Sequence, residues 1–306
     1  MLVTCEVRLA HHLTGIRPAR QYIKMPTKII DGNKIAKSIL DNIKNKVKNM
    51  KKKPGLALVL VGNNPASEIY VNFKEKDSKE AGFYCERYNL DEKTSEMDLL
   101  NLVNKLNNNP KINGVLVQLP LPKHIDEKLI TNSILPHKDV DGFTPVSLGN
   151  LLSENTIMAP ATARAVINLI ESTGTKIEGK NAVVIGRSKI VGKPVAMMLL
   201  EKNATVTICH SKTKNLAEHT KKADILVVAA GKPKLITKGM VKEGAVVIDV
   251  GINRVGDKLA GDVDFVNVKD VAGFITPVPG GVGPMTRAML MENTLKAMEL
   301  QSKILK

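Results

Sequence analysis

The 306-residue sequence has no tryptophan, only four tyrosines and five phenylalanines, and an aromatic content of 3%. Proteins that hold single-stranded nucleic acid stack bases on aromatic side chains, and duplex readers carry recognisable helix, finger or ribbon motifs. Neither pattern is present, so nucleic acid is not expected as a partner despite a net charge of +15. Cysteine is scarce as well. Cys5, Cys85 and Cys209 are odd in number and show no CxxC spacing, which predicts a reducing compartment and no disulfide framework. The six histidines never fall at HExxH spacing, and none pairs with a cysteine at zinc spacing, so no metal site is expected. No apolar run reaches the roughly 18–20 residues of a membrane span; the longest, such as 225–230, are strand-sized. The expectation is a soluble, cytoplasmic protein with no membrane partner.

What is present is globular. Hydrophobic residues make up 43% and charged residues 25%, near the average for folded domains, and the length suits two domains. Residues 1–24 differ from the rest: Arg8, Arg17, Arg20 and Lys24 stand against the single acid Glu6, without an apolar core. The segment is not a secretory signal and is Ser-poor for an organelle-targeting peptide. It reads as an appended basic extension, with the working protein starting near Met25. The lysine-rich stretch 44–53 reads as the solvated end of a helix rather than a binding patch.

From Lys28 onward the pattern alternates. Ile35, Ile39, Ile43 and Val47 recur at helical spacing, and 55–61 (GLALVLV) is a continuous apolar strand of the kind covered on both faces. Asn64-Pro65 then offers a helix start and Gly82 a stop. A strand over 83–90, a helix over 98–106 and a strand over 114–119 follow, the last ended by Pro120-Leu121-Pro122. In the second half, strands are expected at 181–185, 205–209, 225–229 and 245–250, with helices at 192–202 and 215–223. This alternation predicts α/β architecture with parallel sheets. A domain boundary is expected near Pro160, with residues 25–160 an N-terminal α/β domain and 161–285 a C-terminal Rossmann-type domain. A cleft lies between them, and a final helix over 286–306 crosses back to complete the first domain.

The strand NAVVIG runs into Arg187 and Ser188 and, at the next helix start, Gly192. Glycines at the strand end (Gly186) and helix start allow a tight turn and let a phosphate approach free N–H groups. Where an NAD site would place an acid at the end of the second strand, the chain reads Cys209-His210-Ser211-Lys212-Thr213. Basic groups (Arg187, Lys212) and hydroxyls (Ser211, Thr213) suit a ribose phosphate, so NADP is expected; the alternative is that Ser211 and Thr213 merely cap the following helix, and both roles can hold together. Gly231 and Gly251-Ile252 close the next strands; Asp249 is either catalytic or, as is commoner for a strand-end aspartate, an orienter of loop amides.

In the first domain, Tyr70 and Lys74 share a helix face at the carboxyl end of a buried strand, where open α/β sheets bind ligands. A desolvated lysine there would titrate low enough to move protons near neutrality; an ordinary surface lysine is the alternative. Gln118 interrupts an apolar strand and must find partners, in the site or on the Pro120 backbone. In Lys138-Asp139-Val140-Asp141-Gly142, Asp141 either receives hydrogen bonds from an amino-heterocycle or shapes a turn. The loop from Pro277 to Pro284 is poor in side chains and would admit a flat ligand or simply connect domains.

Six ordered segments, YVNFK (70–74), VQLPLP (117–122), KDVDG (138–142), GRSKIVGKP (186–194), TVTICHSKT (205–213) and TPVPGGVGPMT (276–286), resemble the bifunctional methylenetetrahydrofolate dehydrogenase/methenyltetrahydrofolate cyclohydrolase family. The resemblance runs from about Ile29 to the C-terminus. It implies that methylenetetrahydrofolate gives a hydride to NADP, and that water then opens the methenyl product to formyltetrahydrofolate. It implies Lys74 as the proton-transfer residue, Gln118 holding it, Tyr70 orienting the folate and Asp141 gripping its ring. The substrate would lie along Tyr70, Val71, Asn72, Phe73, Lys74, Val117, Gln118, Leu119 and the loop Pro279, Gly280, Gly281, Val282 and Gly283. Gly186, Arg187, Ser188, Ser211 and Ile252 would hold NADP. A homodimer is implied too. One departure stands out: the family's PCTPxG segment is Pro160-Ala161-Thr162-Ala163-Arg164-Ala165 here, a change expected to alter the helix start and cleft closure. Another two-domain NADP-dependent dehydrogenase, of shikimate or amino-acid type, is the alternative, and would have no need of both YVNFK and VQLPLP. A basic RNA-binding or structural protein keeping the fold is a third reading, opposed by the intact Lys74, Gln118 and Asp141.

Overall fold

A computed structural model describes residues 26–304, apart from Ile157 and Asp257. The basic extension over 1–24, with Cys5, lies outside the described residues. The first elements are β1 (Lys28–Ile29) and α1 (Gly32–Lys48). Lys53 Nζ donates to the carbonyls of Val47 and Lys48 at 2.7 and 3.2 Å, so the lysine-rich stretch is a helix end, as its charge pattern predicts. β2 (Gly55–Val61), α2 (Pro65–Glu80), β3 (Tyr84–Leu90), α3 (Glu96–Asn108) and β4 (Gly114–Val117) follow. Their sheet has the order β3-β2-β4, all parallel. β2 is central and buried along its whole length. Ala57, Val59 and Val61 meet Leu99, Val103 and Leu106 of α3, while Leu56, Leu58 and Leu60 join Ile43 and Val47 of α1 in the larger core. An apolar run without alternation is what two covered faces require.

Short helices α4 (Glu127–Ser133) and α5 (Pro145–Leu152) lead to α6 (Ala161–Glu171) and the second sheet. This comprises β5 (Asn181–Ile185), α7 (Gly192–Glu201), β6 (Thr205–Cys209), α8 (Leu216–Thr220), β7 (Ile225–Val228) and β8 (Val246–Asp249). A hairpin, β9 (Asn253–Val255) with β10 (Lys258–Ala260), then α9 (Phe265–Val268), β11 (Phe274–Ile275) and the closing helix α10 (Val282–Ile304) complete the chain. The sheet order is β1-β11-β8-β7-β5-β6, all parallel. The chain leaves β5 on one side to form β6 and on the other to form β7, so the order reverses at the β5–β7 boundary, where such folds bind ligands.

Several features differ from the sequence-based expectation. β4 ends at Val117 rather than at 119, which leaves Gln118 just past the strand. β1 pairs with β11 and so edges the second sheet; two residues are too few to carry a periodicity. α8 stops at Thr220 and starts after Asn215, whose φ of 50° is left-handed, with no side-chain cap. Helix α10 begins at Val282 rather than Thr286. Pro284 falls in its first turn, where a missing N–H costs nothing. Thr286 donates to the Val282 carbonyl at 3.0 Å and is not the cap. α10 packs against both α6 and α1. No helix among the described residues is long and apolar enough to cross a membrane.

Candidate active site

Asn64 Oδ1 accepts from the amides of Ala66 and Ser67, both at 3.0 Å, and starts α2 directly at the carboxyl end of β2. Tyr70, Phe73, Lys74 and Asp77 then fall at i, i+3, i+4 and i+7, on one side of that helix. Lys74 Nζ donates to Gln118 Oε1 at 3.0 Å, and Gln118 Nε2 donates to the Leu119 carbonyl at 2.7 Å. The amide thus serves both purposes considered for it: one end satisfies the backbone before Pro120, the other holds the lysine. Burial lowers the Lys74 pKa from the ordinary lysine value; Asp141 opposes the shift and the Arg287 cation adds to it. Burial also raises the Asp141 pKa, with Lys74 opposing and Asp139 reinforcing.

The turn between Lys138 and Gly142 belongs to Asp139, not Asp141. Asp139 Oδ1 accepts from Gly142 N and Phe143 N at 2.9 and 3.1 Å, and Oδ2 from Thr144 N and Ser147 Oγ at 2.8 and 2.7 Å. With the turn built by its neighbour, Asp141 is left to act on Lys74.

Beside this cluster lies a cleft of about 400 Å³, lined by Tyr70, Phe73, Ile252, Arg287 and the segment 277–284, which runs from the loop into the first turn of α10. Its rim leaves Phe73 44% and Ile252 46% exposed, apolar surface suited to a flat ring. Gly280, at a φ of 104°, is where the loop passes the Asn33 side chain; a Cβ there would stand 2.9 Å from Asn33 Nδ2. The expected Tyr70–Lys74 surface is narrower than the motif. Val71 is fully buried in the core, and the exposed Asn72 accepts from Arg87 Nη1 at 2.6 Å, because a helix turns those positions away from the face bearing Tyr70 and Lys74. Val117 is likewise buried, at 7% exposure, among the side chains between its sheet and α3. None of the three lines the cleft. A larger cavity, about 680 Å³, lies at the opposite end of the first sheet between Tyr84, Lys111 and Met298; it contains none of the expected site residues.

Arg287 is the residue that sequence reasoning missed. It follows the TPVPGGVGPMT segment, and its signal is a lone charge in the otherwise apolar run Val282–Met291.

At the second sheet, Gly186 has a φ of 124°, and a Cβ there would stand 2.3 Å from the Ala229 carbonyl; one on Gly192 would stand 2.1 Å from the Gly186 carbonyl. The strand end therefore bends tightly against the N-terminus of α7, as a phosphate cradle requires. Ser188 Oγ accepts from Val191 N at 3.1 Å, shaping the turn. Arg187, Ser188, Ser211 and Lys212 are exposed at the ends of β5 and β6, and no carboxylate stands in the 209–213 segment. Thr213 Oγ1 accepts from His210 N at 2.9 Å, so it braces its own turn rather than capping α8. The donors and φ values fit a dinucleotide carrying a phosphorylated ribose.

Asp249 does orient loop amides. Its carboxylate accepts from Gly251, Asp262 and Val263 N at 2.9–3.0 Å, and burial lifts its pKa to about 6 against the pull of those N–H groups. Asp262 beside it, unexpected from sequence, accepts from the amides of Ala230, Gly231 and Lys232 at 2.7–2.8 Å and from Asn253 Nδ2 at 2.8 Å. Together they tie down the loops after β7 and β8. In the departing 160–165 segment, α6 still starts at Ala161 without a side-chain cap. Arg164 donates to Asn293 Oδ1 at 2.6 Å and pairs with Glu292, fastening α6 to α10.

Two parallel-sheet lobes, one with a nucleotide cradle and the other with a desolvated lysine beside a shared cleft, define a two-domain nucleotide-dependent α/β enzyme. Residues 30–141 match the catalytic domain of the tetrahydrofolate dehydrogenase/cyclohydrolase family, and residues 160–302 its NAD(P)-binding domain. The chain belongs to that family. It is 55% identical over 277 residues to the bifunctional protein FolD of Moorella thermoacetica, covering 89% of this chain and 99% of that one. It is 56% identical to the FolD of Halothermothrix orenii, covering 88% and 97%. Among solved structures, the bifunctional FolD methylenetetrahydrofolate dehydrogenase/cyclohydrolase of Campylobacter jejuni matches with a TM-score of 0.88 at 46% identity, over 90% of this chain and 99% of that one. The Trypanosoma brucei enzyme, complexed with NADP cofactor and inhibitor, matches with a TM-score of 0.88 at 37% identity, over 91% and 99%.

Proposed function

We infer that this chain oxidises methylenetetrahydrofolate to methenyltetrahydrofolate with NADP and hydrolyses the product to formyltetrahydrofolate, Lys74 moving the proton in the second step. The observation that carries the reading is the Lys74–Gln118 bond of 3.0 Å on the same helix face that brings Tyr70 to the cleft. NADP, when bound, supplies the hydride acceptor. Gly186 and the α7 N-terminus would hold its phosphates, Arg187, Ser188 and Ser211 its ribose phosphate, and Ile252 would pack on it. The methenyl carbon is cationic and open to water. A neutral Lys74 amine takes a proton from that water as it attacks, and burial favours the neutral form. The ammonium so formed returns the proton to the ring nitrogen as its bond to the carbon breaks, and the proton of the new hydroxyl passes to solvent as the formyl carbonyl forms, leaving the amine neutral again. Gln118 keeps the amine aimed, Tyr70 orients the folate, and Asp141 receives hydrogen bonds from its ring. The loop from Pro279 to Gly281, with Val282 and Gly283 in the first turn of α10, lines the flat face.

The division near residue 160, a homodimer, cytoplasmic residence and the absence of a nucleic-acid partner belong to the same proposal. Incubation with methylenetetrahydrofolate and NADP should make the methenyl absorbance band rise and then decay. A flat trace defeats the reading, and a rise without decay defeats its second half. Replacing both Arg187 and Ser211 with Ala should weaken NADP roughly 10²–10⁴-fold, since each of two hydrogen bonds to a charged group contributes about 1.5–3 kcal/mol, and leave NAD nearly untouched. Equal losses for the two cofactors, read by titration of each, would mean the ribose phosphate lies elsewhere.

A further inference from the structure

Arg287 emerges from α10 in a stretch whose other side chains are core: Met285, Ala288, Met289 and Met291 are fully buried. Its Nε donates to Asp77 Oδ2 at 2.6 Å, and its guanidinium carbon stands 4.7 Å from the centroid of the Phe73 ring. Asp77 is only 7% exposed. Phe73 and Asp77 bracket Lys74 on α2, so one guanidinium grips the helix on both sides of the lysine. We propose that Arg287 is a positioning residue for Lys74: it clamps the α2 face that carries the amine and keeps a permanent positive charge beside it. The proposal rests on the role given to Lys74 above.

The ion pair is neither a loose surface contact nor redundant. Surface pairs contribute little, but this one is partly withdrawn from water, joins residues 210 positions apart and adds a ring face to which the guanidinium is attracted. Burial raises the Asp77 pKa and the bond to Arg287 holds it down, so each partner keeps the other in place. The groups facing the amine are few. Asp141 acts from the loop before α5 and Arg287 from α10, with opposite effects. Gln118 arrives uncharged from the end of β4. On α2 itself, Tyr70 feels the Arg287 charge, Asp77 is bound to that guanidinium, and Glu75 turns to Lys79 and Arg87. Arg287 is thus the one cation acting on Lys74 from another element among the described residues, and a permanent one, since a guanidinium does not titrate in this range.

The test is the pH profile of methenyl-tetrahydrofolate hydrolysis for Arg287→Met, Arg287→Gln and Arg287→Lys, with Lys74→Met alongside. A base that must be neutral gives a rate that falls on the acid side. Without the neighbouring cation the amine holds its proton to higher pH, so in Arg287→Met the acid limb moves up by about 0.5–1 unit, the size of one charge roughly 6–12 Å away at an effective dielectric of about 40, between the protein-surface and bulk-water values. Below the limb, hydrolysis is then about three- to tenfold slower at a given pH. Arg287→Lys restores the charge and brings the limb back, with a smaller loss in the plateau rate because the fork and stacking are gone. If Arg287→Met does not fold, Arg287→Gln carries the comparison. An unmoved limb, with or without a lower plateau, overturns the proposal, as does a lysine variant whose limb moves as far as that of the uncharged variants. Normal hydrolysis by Lys74→Met defeats the assignment of Lys74 and this proposal with it; an essential Lys74 with an unmoved limb defeats this proposal alone.

Discussion

Lys74→Met should hydrolyse methenyl-tetrahydrofolate about 10²–10⁴-fold more slowly than the unsubstituted chain, the span that a positioned proton-transfer group contributes. Methionine keeps an unbranched stem of similar length, so the helix face and its packing survive. What is removed is the amine and its 3.0 Å bond to Gln118. The cost to folding is small, because the Gln118 carbonyl loses one partner while its amide keeps the Leu119 carbonyl; about 1 kcal/mol is the scale of such a loss. Reduction of NADP should persist, since hydride transfer asks nothing of the amine as a base. The decay rate of the methenyl band, read beside NADPH formation, separates the two steps. Unchanged decay would refute the role of Lys74.

Asp262→Ala should be the most destabilising single change in the second lobe, at about 3–4 kcal/mol. The side chain is fully buried and collects four N–H donors, three of them consecutive backbone amides after β7. Charge-assisted hydrogen bonds contribute about 1.5–3 kcal/mol each, and a buried donor left without a partner costs about 1–3 kcal/mol. The total stays below the sum of the individual figures because the loops relax and admit water. Asp249 cannot take over, since its own oxygens already serve Gly251, Asp262 and Val263. Urea unfolding should show a lower midpoint at an unchanged slope, and NADP affinity should fall as the loop after β7 loosens. A loss under about 1 kcal/mol would mean that water satisfies those amides.

Much of this molecule was readable from residues alone. The run GLALVLV, with no polar interruption, could only be a strand covered on both faces, and β2 is buried at every position. Asn64-Pro65 marks the start of α2 because the side chain supplies the acceptor that the first amides lack. The missing acid after β6 was equally visible, and the exposed Arg187, Ser211 and Lys212 stand at that strand end and the one beside it. Gln118 stood out because an amide in an apolar strand must be partnered, though the sequence left two partners open and the fold uses both.

Other features were beyond reach. The motif YVNFK is contiguous, but α2 turns Val71 into the core and Asn72 onto Arg87. In KDVDG two carboxylates compete for one turn, and only the surrounding amides decide that Asp139 takes it.

By itself the sequence determined the α/β alternation, the buried strands, the tight glycine turn after β5 and the placing of Tyr70 and Lys74 on one helix face. These depend on local spacing, capping and the need to bury apolar runs, all short-range effects. The tertiary structure decided that β1 edges the distant sheet, that Asp262 anchors two loops and that Arg287 reaches Asp77 across 210 positions. Such pairings follow from how whole faces pack, and no periodicity of 2 or 3.6 residues encodes which remote charge a buried group will meet.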